Sequence, residues 1–338
     1  MDLKRILYLG YYWWKQDQKH FNLYFQFVLN TTDKSRLGLW IDILKSSLRY
    51  NISLTEYFYL KFYERSAEER ATWAGTGFMY ETQRILNPPS TRAKLNDKRE
   101  FSREYKEFML HRVYDLNTLK QHEKDLELVY NEKQLVFKTH DGKCGRGTFF
   151  YNSTEHSLER LKALIHSQDY DLVETFIVQH DDLNTLSPSG VNTVRIITQL
   201  DDKGNVHILG CRLRISVNNA VDNLAAGNMV ACVDESTGKV NSKAVYSDIT
   251  KSSESVHPIT KTEIFGFNVP FWKECIALAK AAALKHPENK SIGWDIVVTN
   301  EGVGLLEGNH DWCKLVWQLP ANKGLKSQLA HYRELFTV

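Results

Sequence analysis

The spacing of apolar and polar residues changes once along the chain. Residues 1–87 contain no proline and few glycines, and apolar side chains recur three and four apart, as in RLGLWIDILKSSLRY (36–50). That period predicts a helical N-terminal region. NPPSTRAKLNDK (87–98) breaks the pattern with two adjacent prolines and small polar residues, and EFSREYKEFMLHRVYDL (100–116) restores a helical period. From residue 135 the period becomes two. LVFK (135–138) and TFFY (148–151) flank a glycine-rich loop and predict an antiparallel hairpin. SLERLKALIHS (157–167) predicts a helix capped by Ser157, and DLVETFIVQ (171–179) a strand. VNTVRIITQL and VHILGCRLRIS predict two strands around the turn DDKGN. MVACVD is a further strand, FWKECIALAKAAALKH a helix, and IGWDIVVT and VGLLEGN a last hairpin around Asn300, Glu301 and Gly302. Strand hairpins with interspersed helices argue for α+β lobes and against a doubly wound parallel sheet.

Composition narrows the function. At 338 residues the chain can hold two or three packed units. With 42% hydrophobic and 25% charged residues it is not globally disordered. A net charge of +2 with no Lys/Arg block argues against a nucleic-acid partner. Five scattered cysteines without C-x-x-C spacing argue for reduced thiols, a cytoplasmic setting and no zinc site.

The first 28 residues, MDLKRILYLGYYWWKQDQKHFNLYFQFV, are aromatic and basic. Lys15, Asp17, Lys19 and His20 interrupt the apolar run too early for a signal peptide or a membrane span. A buried amphipathic helix is the expectation. The alternative is an interfacial helix on a membrane, with Trp13 and Trp14 at headgroup depth.

The last hairpin carries the sharpest chemistry. With its turn near residue 301, Asp295 falls opposite Glu307, and Asn309 projects from the same face as Glu307. Opposed carboxylates repel unless a cation lies between them. Magnesium takes hard oxygen ligands and keeps sites for phosphates, so the three residues read as a metal platform for a nucleotide; a solvated acidic sheet face is the plain alternative. The central loop, KTHDGKCGRGTFF, resembles a phosphate cradle. Its Gly142-x-x-x-x-Gly147 is followed by Thr148 and Phe149, though, where a P-loop needs Lys and Ser or Thr. A glycine flap between strands could instead bend over phosphates, with Lys138, Lys143 and Arg146 at hand. Arg212 and Arg214 share one strand face and Arg195 lies on the partner strand, so the three could steady an anionic group.

In this order the pieces resemble the ATP-grasp fold, in which two α+β lobes clamp ATP between antiparallel sheets. Asp97-Lys98 resembles the early lysine segment, Lys138 the lysine before the flap, LVETFIV (172–178) the strand that edges adenine, and Asp295, Glu307 and Asn309 the D/E … E-x-N metal pattern. QHDDLNTLSPSGVNTVRIIT, GCRLRIS, VDNLAAGNMVACVD and IGWDIVVTNEGVGLLEGN are similar to the sugar-transfer-associated ATP-grasp proteins, related to the teichuronopeptide type, over roughly residues 90–320. The chain departs from that pattern at Asn228, where the family commonly has a second glycine after Gly227.

The resemblance implies three units: a helical N-terminal region (1–90), an N-terminal lobe with the flap (91–178), and a C-terminal lobe with the magnesium site and acceptor side (179–338). It implies nucleotide contacts at Lys98, Lys138, Lys143, Gly145, Gly147, Glu174, Thr175, Phe176 and Ile177. Catalytic roles go to Lys138, Arg195 and Arg212, and acceptor contacts to Asn192, Thr193, Arg214, Asp222 and Asn223. Magnesium falls to Asp295, Glu307 and Asn309.

The implied activity is ATP-dependent ligation of a carboxylate to an amine through an acyl phosphate. An amino acid or amine would join a uronic acid of a bacterial capsule or O-antigen glycan, in the cytoplasm or at the inner membrane face, beside membrane-bound glycan-assembly proteins. A kinase of a sugar hydroxyl and a non-catalytic nucleotide-binding subunit remain the alternatives. Hydrolase chemistry lacks a G-x-S-x-G elbow.

Overall fold

The computed structural model describes residues 3–142 and 147–337. Among the described residues nine strands form two sheets, antiparallel throughout. The first sheet holds β1 (Val113–Asp115), β2 (Gln134–Lys138), β3 (Thr148–Asn152) and β4 (Leu172–Thr175) in the order β1-β4-β2-β3. The second holds β5 (Val194–Leu200), β6 (Val206–Ile215), β7 (Met229–Val233), β8 (Ser291–Thr299) and β9 (Gly302–Asn309) in the order β7-β6-β5-β8-β9. The expected hairpins form, and Ser157 caps its helix by accepting the Arg160 N–H.

The five-stranded sheet is covered on both faces, and every residue of β5 is buried. Helix Trp272–Lys285 packs one face, its Ala279, Ala282 and Ala283 allowing close approach to Ile196, Leu213 and Ile292. Ile197 on the other face joins Trp312, Trp317, Leu329 and the N-terminal residues Phe78, Met79 and Leu86.

Helices fill the N-terminal region as expected, around an aromatic core of Phe21, Tyr24, Phe25, Tyr57, Phe58, Phe62 and Trp73. Polar bonds fasten this region to the C-terminal part. Lys314 pairs with buried Glu56 at 2.9 Å, Gln318 exchanges hydrogen bonds with the Ala74 backbone, and Asn87 bonds both backbone groups of Ser291 and the His310 carbonyl.

Three expectations are corrected. The helix foreseen over 100–116 is confined to Lys98–Glu104, because residues 113–115 pair with β4, which supplies the backbone partners a helix would otherwise provide. The strand foreseen over 171–179 ends at Thr175, beyond which the chain crosses to the second sheet, where the His180 N–H bonds the Val298 carbonyl. The first helix, Leu3–Trp14, is not buried: Tyr12 is its one buried residue among those described.

Candidate nucleotide and metal site

A cavity of about 350 Å³ opens between the two sheets. The β8–β9 hairpin builds its floor. Near the turn, Thr299 pairs with Gly302 and Ile296 with Leu305; the register then shifts, and Asp295 pairs with Glu307. Leu306 is the extra residue of this bulge. Without it, a straight ladder would set Leu306 opposite Asp295 and turn Glu307 to the other face. The bulge is what places both carboxylates and Asn309 on the cavity side.

Asp295 is buried and held from two strands. Arg195 of β5 donates to it through Nε and, at 2.7 Å, through a terminal nitrogen, and Arg214 of β6 reaches it at 2.7 Å. Arg214 also pairs with Asp222 at 2.7 Å and donates to Asn223 at 2.7 Å. Burial would raise the Asp295 carboxyl, but the two guanidinium groups outweigh it and hold the group well below the usual carboxylate range. Glu307 goes the other way, because burial and the charge of Asp295 both raise it. Asn309 donates to Glu307 at 3.1 Å, which leaves its carbonyl oxygen for another ligand.

This donor set fits a hard divalent cation. Two opposed carboxylates and an amide oxygen are the ligands magnesium prefers, and a cation would remove the repulsion that now raises Glu307. Asp295 already shares both oxygens with arginines, so Glu307 and Asn309 are the less committed ligands.

Two lysines supply cations, one from the four-stranded sheet and one from the helix Lys98–Glu104. Lys138, at the end of β2, pairs with Glu174 of β4 at 2.5 Å, and His111 lies 3.6 Å from the same carboxylate. Burial acts to raise Glu174, but Lys138 and His111 hold it at about 2. Lys98, in the first turn of its helix, donates to the Gly142 carbonyl. Burial lowers its amine, the charge of Glu307 opposes this, and Lys138 adds to it. Val136, Phe150 and Phe176 line the apolar part of the cavity beside Glu174, Thr175 and Ile177. Gly147 stands at the base of the hairpin with φ +71°, where a Cβ would lie 2.6 Å from the Thr139 hydroxyl. Lys143, Gly145 and Arg146 lie outside the described residues.

Most of the foreseen residues therefore meet in one space: Lys98, Lys138, Glu174, Thr175, Phe176, Ile177, Thr193, Arg195, Arg214, Asp222, Asn223, Asp295, Glu307 and Asn309. Two do not. Arg212, expected among the catalytic cations, is buried under helix Lys314–Gln318 and donates to the Trp317 and Cys211 carbonyls. Asn192, expected at the acceptor side, is a buried hub bonded to Gln179, Ser187 and Ser216. Asn228, the departure from the family pattern, takes up the loop that carries Asp222 and Asn223. Fully buried, it accepts the Val217 N–H at 2.7 Å and donates to the Val221 and Asn223 carbonyls. The sequence reading missed His111, for which no local signal exists. It also missed His310, which lines the cavity with its ring 2.7 Å from Asn96 and whose one clue is its place directly after Asn309.

Comparison with solved structures returns ATP-grasp enzymes. The ADP complex of N5-carboxyaminoimidazole ribonucleotide synthetase aligns at 11% identity and TM-score 0.40, covering 64% of this chain and 45% of that one. Biotin carboxylase from Campylobacter jejuni aligns at 12% and 0.46, covering 78% and 54%. D-cycloserine synthetase DcsG aligns at 11% and 0.43, covering 77% and 79%. The match thus spans about half the length of the first two, and similarity of this degree says nothing of substrate. No curated protein sequence matches the chain. The family model for sugar-transfer associated ATP-grasp proteins matches residues 79–334. That match takes in about three quarters of the sequence and both sheets, and the chain belongs to the sugar-transfer-associated ATP-grasp family.

Proposed function

We propose that the protein is an ATP-dependent carboxylate–amine ligase that joins an amino acid or amine to a uronic acid of a bacterial capsule or O-antigen glycan. One observation carries this reading: Lys98 and Lys138 face Asp295, Glu307 and Asn309 across a single cavity, with Arg195 and Arg214 beside them. Amide formation from a free carboxylate is uphill in water, so the acyl group must first be activated. The substrate carboxylate attacks the γ-phosphorus of ATP, forming an acyl phosphate and releasing ADP. The amine then attacks the acyl carbon, loses a proton and expels phosphate.

Neither step asks the side chains for covalent chemistry, and positioning with charge neutralisation suffices. Lys98 and Lys138 hold the phosphates. Val136, Phe150 and Phe176 enclose the base against the backbone of residues 174–177. Arg195 steadies the transferring group, while Thr193, Arg214, Asp222 and Asn223 face the acceptor. Glu307, Asn309 and Asp295 would hold magnesium, which when bound neutralises charge on the phosphates.

The test is phosphate release from Mg-ATP by the purified chain, screened against amino acids with and without uronic-acid glycans. ADP and free phosphate should appear only when an amine and a carboxylate are both present. ADP with the phosphate retained on the acceptor would replace the ligase by a kinase.

A further inference from the structure

The helix Leu3–Trp14 lies on the surface with its apolar side outward. Leu3, Leu7, Tyr11 and Trp14 are 70%, 67%, 52% and 74% exposed, and Ile6 and Trp13 are also exposed. At 3.6 residues per turn these six side chains fall within an arc of roughly 160° on one face. The opposite face is the one that meets the protein: Tyr12 donates to Asn51 at 3.1 Å, and Tyr8 donates to Glu81 at 3.2 Å. The outward face continues onto the neighbouring helix Arg36–Tyr50. There Leu37 and Ile41 are exposed, and the Trp40 ring lies 5.9 Å from that of Trp13. Water meets a contiguous apolar strip here, of a kind that marks a binding surface.

Charge and residue type identify what covers it. The helix contains no acidic residue. Residues 1–50 hold eight Lys and Arg against four Asp, a net +4, so the rest of the chain, in a total of +2, carries −2. The segment that carries this strip is therefore the net-positive part of the sequence, although Lys4 and Lys34 are paired with Glu81 and Asp42. Lys15 sits at its end with the ammonium 4.5 Å from the Trp14 ring centroid, and Lys19 is exposed in the next turn. Asp17, the acid between them, is engaged with His20 at 2.7 Å and caps the following helix. Trp and Tyr between an apolar stripe and lysines is the composition of a helix lying in the headgroup region, where rings take the interface and long cationic side chains reach phosphates. A second copy of the chain is a poor occupant, because pairing through this face would bring two net-positive segments together.

We propose that the helix Leu3–Trp14, with Leu37 and Ile41, docks the protein on an anionic lipid surface, lying in the plane of the interface. No helix among the described residues is long and apolar enough to cross a membrane, so the contact is peripheral. The proposal is independent of the nucleotide site, and its test needs no turnover.

Full-length protein is floated with vesicles of phosphatidylcholine containing about a quarter phosphatidylglycerol, and with pure phosphatidylcholine, in about 0.1 M salt. The protein should float with the anionic vesicles, and less at higher salt. The double variant Leu7→Glu/Trp14→Glu should partition at least about tenfold less. Both side chains are exposed, so circular dichroism and the thermal midpoint should match the parent. Failure of the parent to float, or equal flotation of the variant, overturns the proposal. So does a dimer in sedimentation that the variant dissolves while lipid binding is unchanged, for the strip would then be a self-association face.

Discussion

The two sheets that face each other across the cavity hold their charges in different ways. On the five-stranded sheet, with strands of five to ten residues covered on both faces, the central ionic groups have several partners: Asp295 takes two arginines, and Arg214 takes Asp295, Asp222 and Asn223. On the four-stranded sheet the strands are three to five residues long. There Lys138 has one carboxylate partner, while Lys98, on the helix Lys98–Glu104 beside the cavity, bonds one carbonyl of the glycine loop. The thicker sheet surrounds the Asp295 carboxylate, whereas Lys138 and Lys98 each rest on a single hydrogen-bond partner. The comparison separates a preorganised half-site from an adaptable one.

The largest effect should come from splitting the carboxylate pair. Glu307→Gln removes a ligand and a like-charge neighbour, so turnover should fall by at least about a hundredfold while stability stays level or rises. Asp295→Asn strands two buried guanidinium groups and should cost about 3–5 kcal/mol as well as activity. Urea denaturation beside phosphate release reads both. Normal turnover in Glu307→Gln would remove the metal assignment, and equal stability in the two variants would mean that Arg195 and Arg214 do not depend on Asp295.

A smaller effect belongs to the thin sheet. Glu174 is held at about 2 in the fold, below its ordinary value of 4.5. A carboxyl depressed in the folded state stabilises the protein above pH 4.5 and loses that contribution as pH falls toward 2. Urea midpoints at pH 5 and pH 3 should show a drop in the wild type that Glu174→Gln reduces. An identical drop in both would mean that Lys138 and His111 do not hold the carboxylate.

The smallest effect lies on the acceptor loop. Asn228→Gly restores the residue common in the family but forfeits three buried hydrogen bonds, for a loss of about 1–3 kcal/mol. With Asp222 and Asn223 less fixed, KM for the acceptor should rise more than kcat falls. An unchanged KM would show that the loop is held without Asn228.

Much of this site was legible in order along the chain. A period of two, turn residues at 201–205 and 300–302, and carboxylates at 295 and 307 pointed to the two hairpins and to the opposed carboxylates. The resemblance placed Lys98 and Lys138 opposite them. Arg212 was misjudged for a definable reason. Alternation puts it on the same face as Arg214, but nothing local says that helix Lys314–Gln318 covers that end of the strand. Asn192 failed likewise, since a buried hub and a ligand contact ask for the same amide.

The sequence by itself determined which residues share a face, where strands turn and which types could carry magnesium and phosphate, because those follow from backbone periodicity and side-chain chemistry. Only the tertiary structure decided what lies over each face. It set the Leu306 bulge that turns Glu307 inward, the carboxylate that Arg195 and Arg214 share, the Asn228 bonds that pin the acceptor loop, and the outward strip of the first helix. The shared carboxylate and the first helix depend on partners tens of residues away or more, and the bulge and the Asn228 bonds on how their own loops close, and periodicity along the chain holds no record of either.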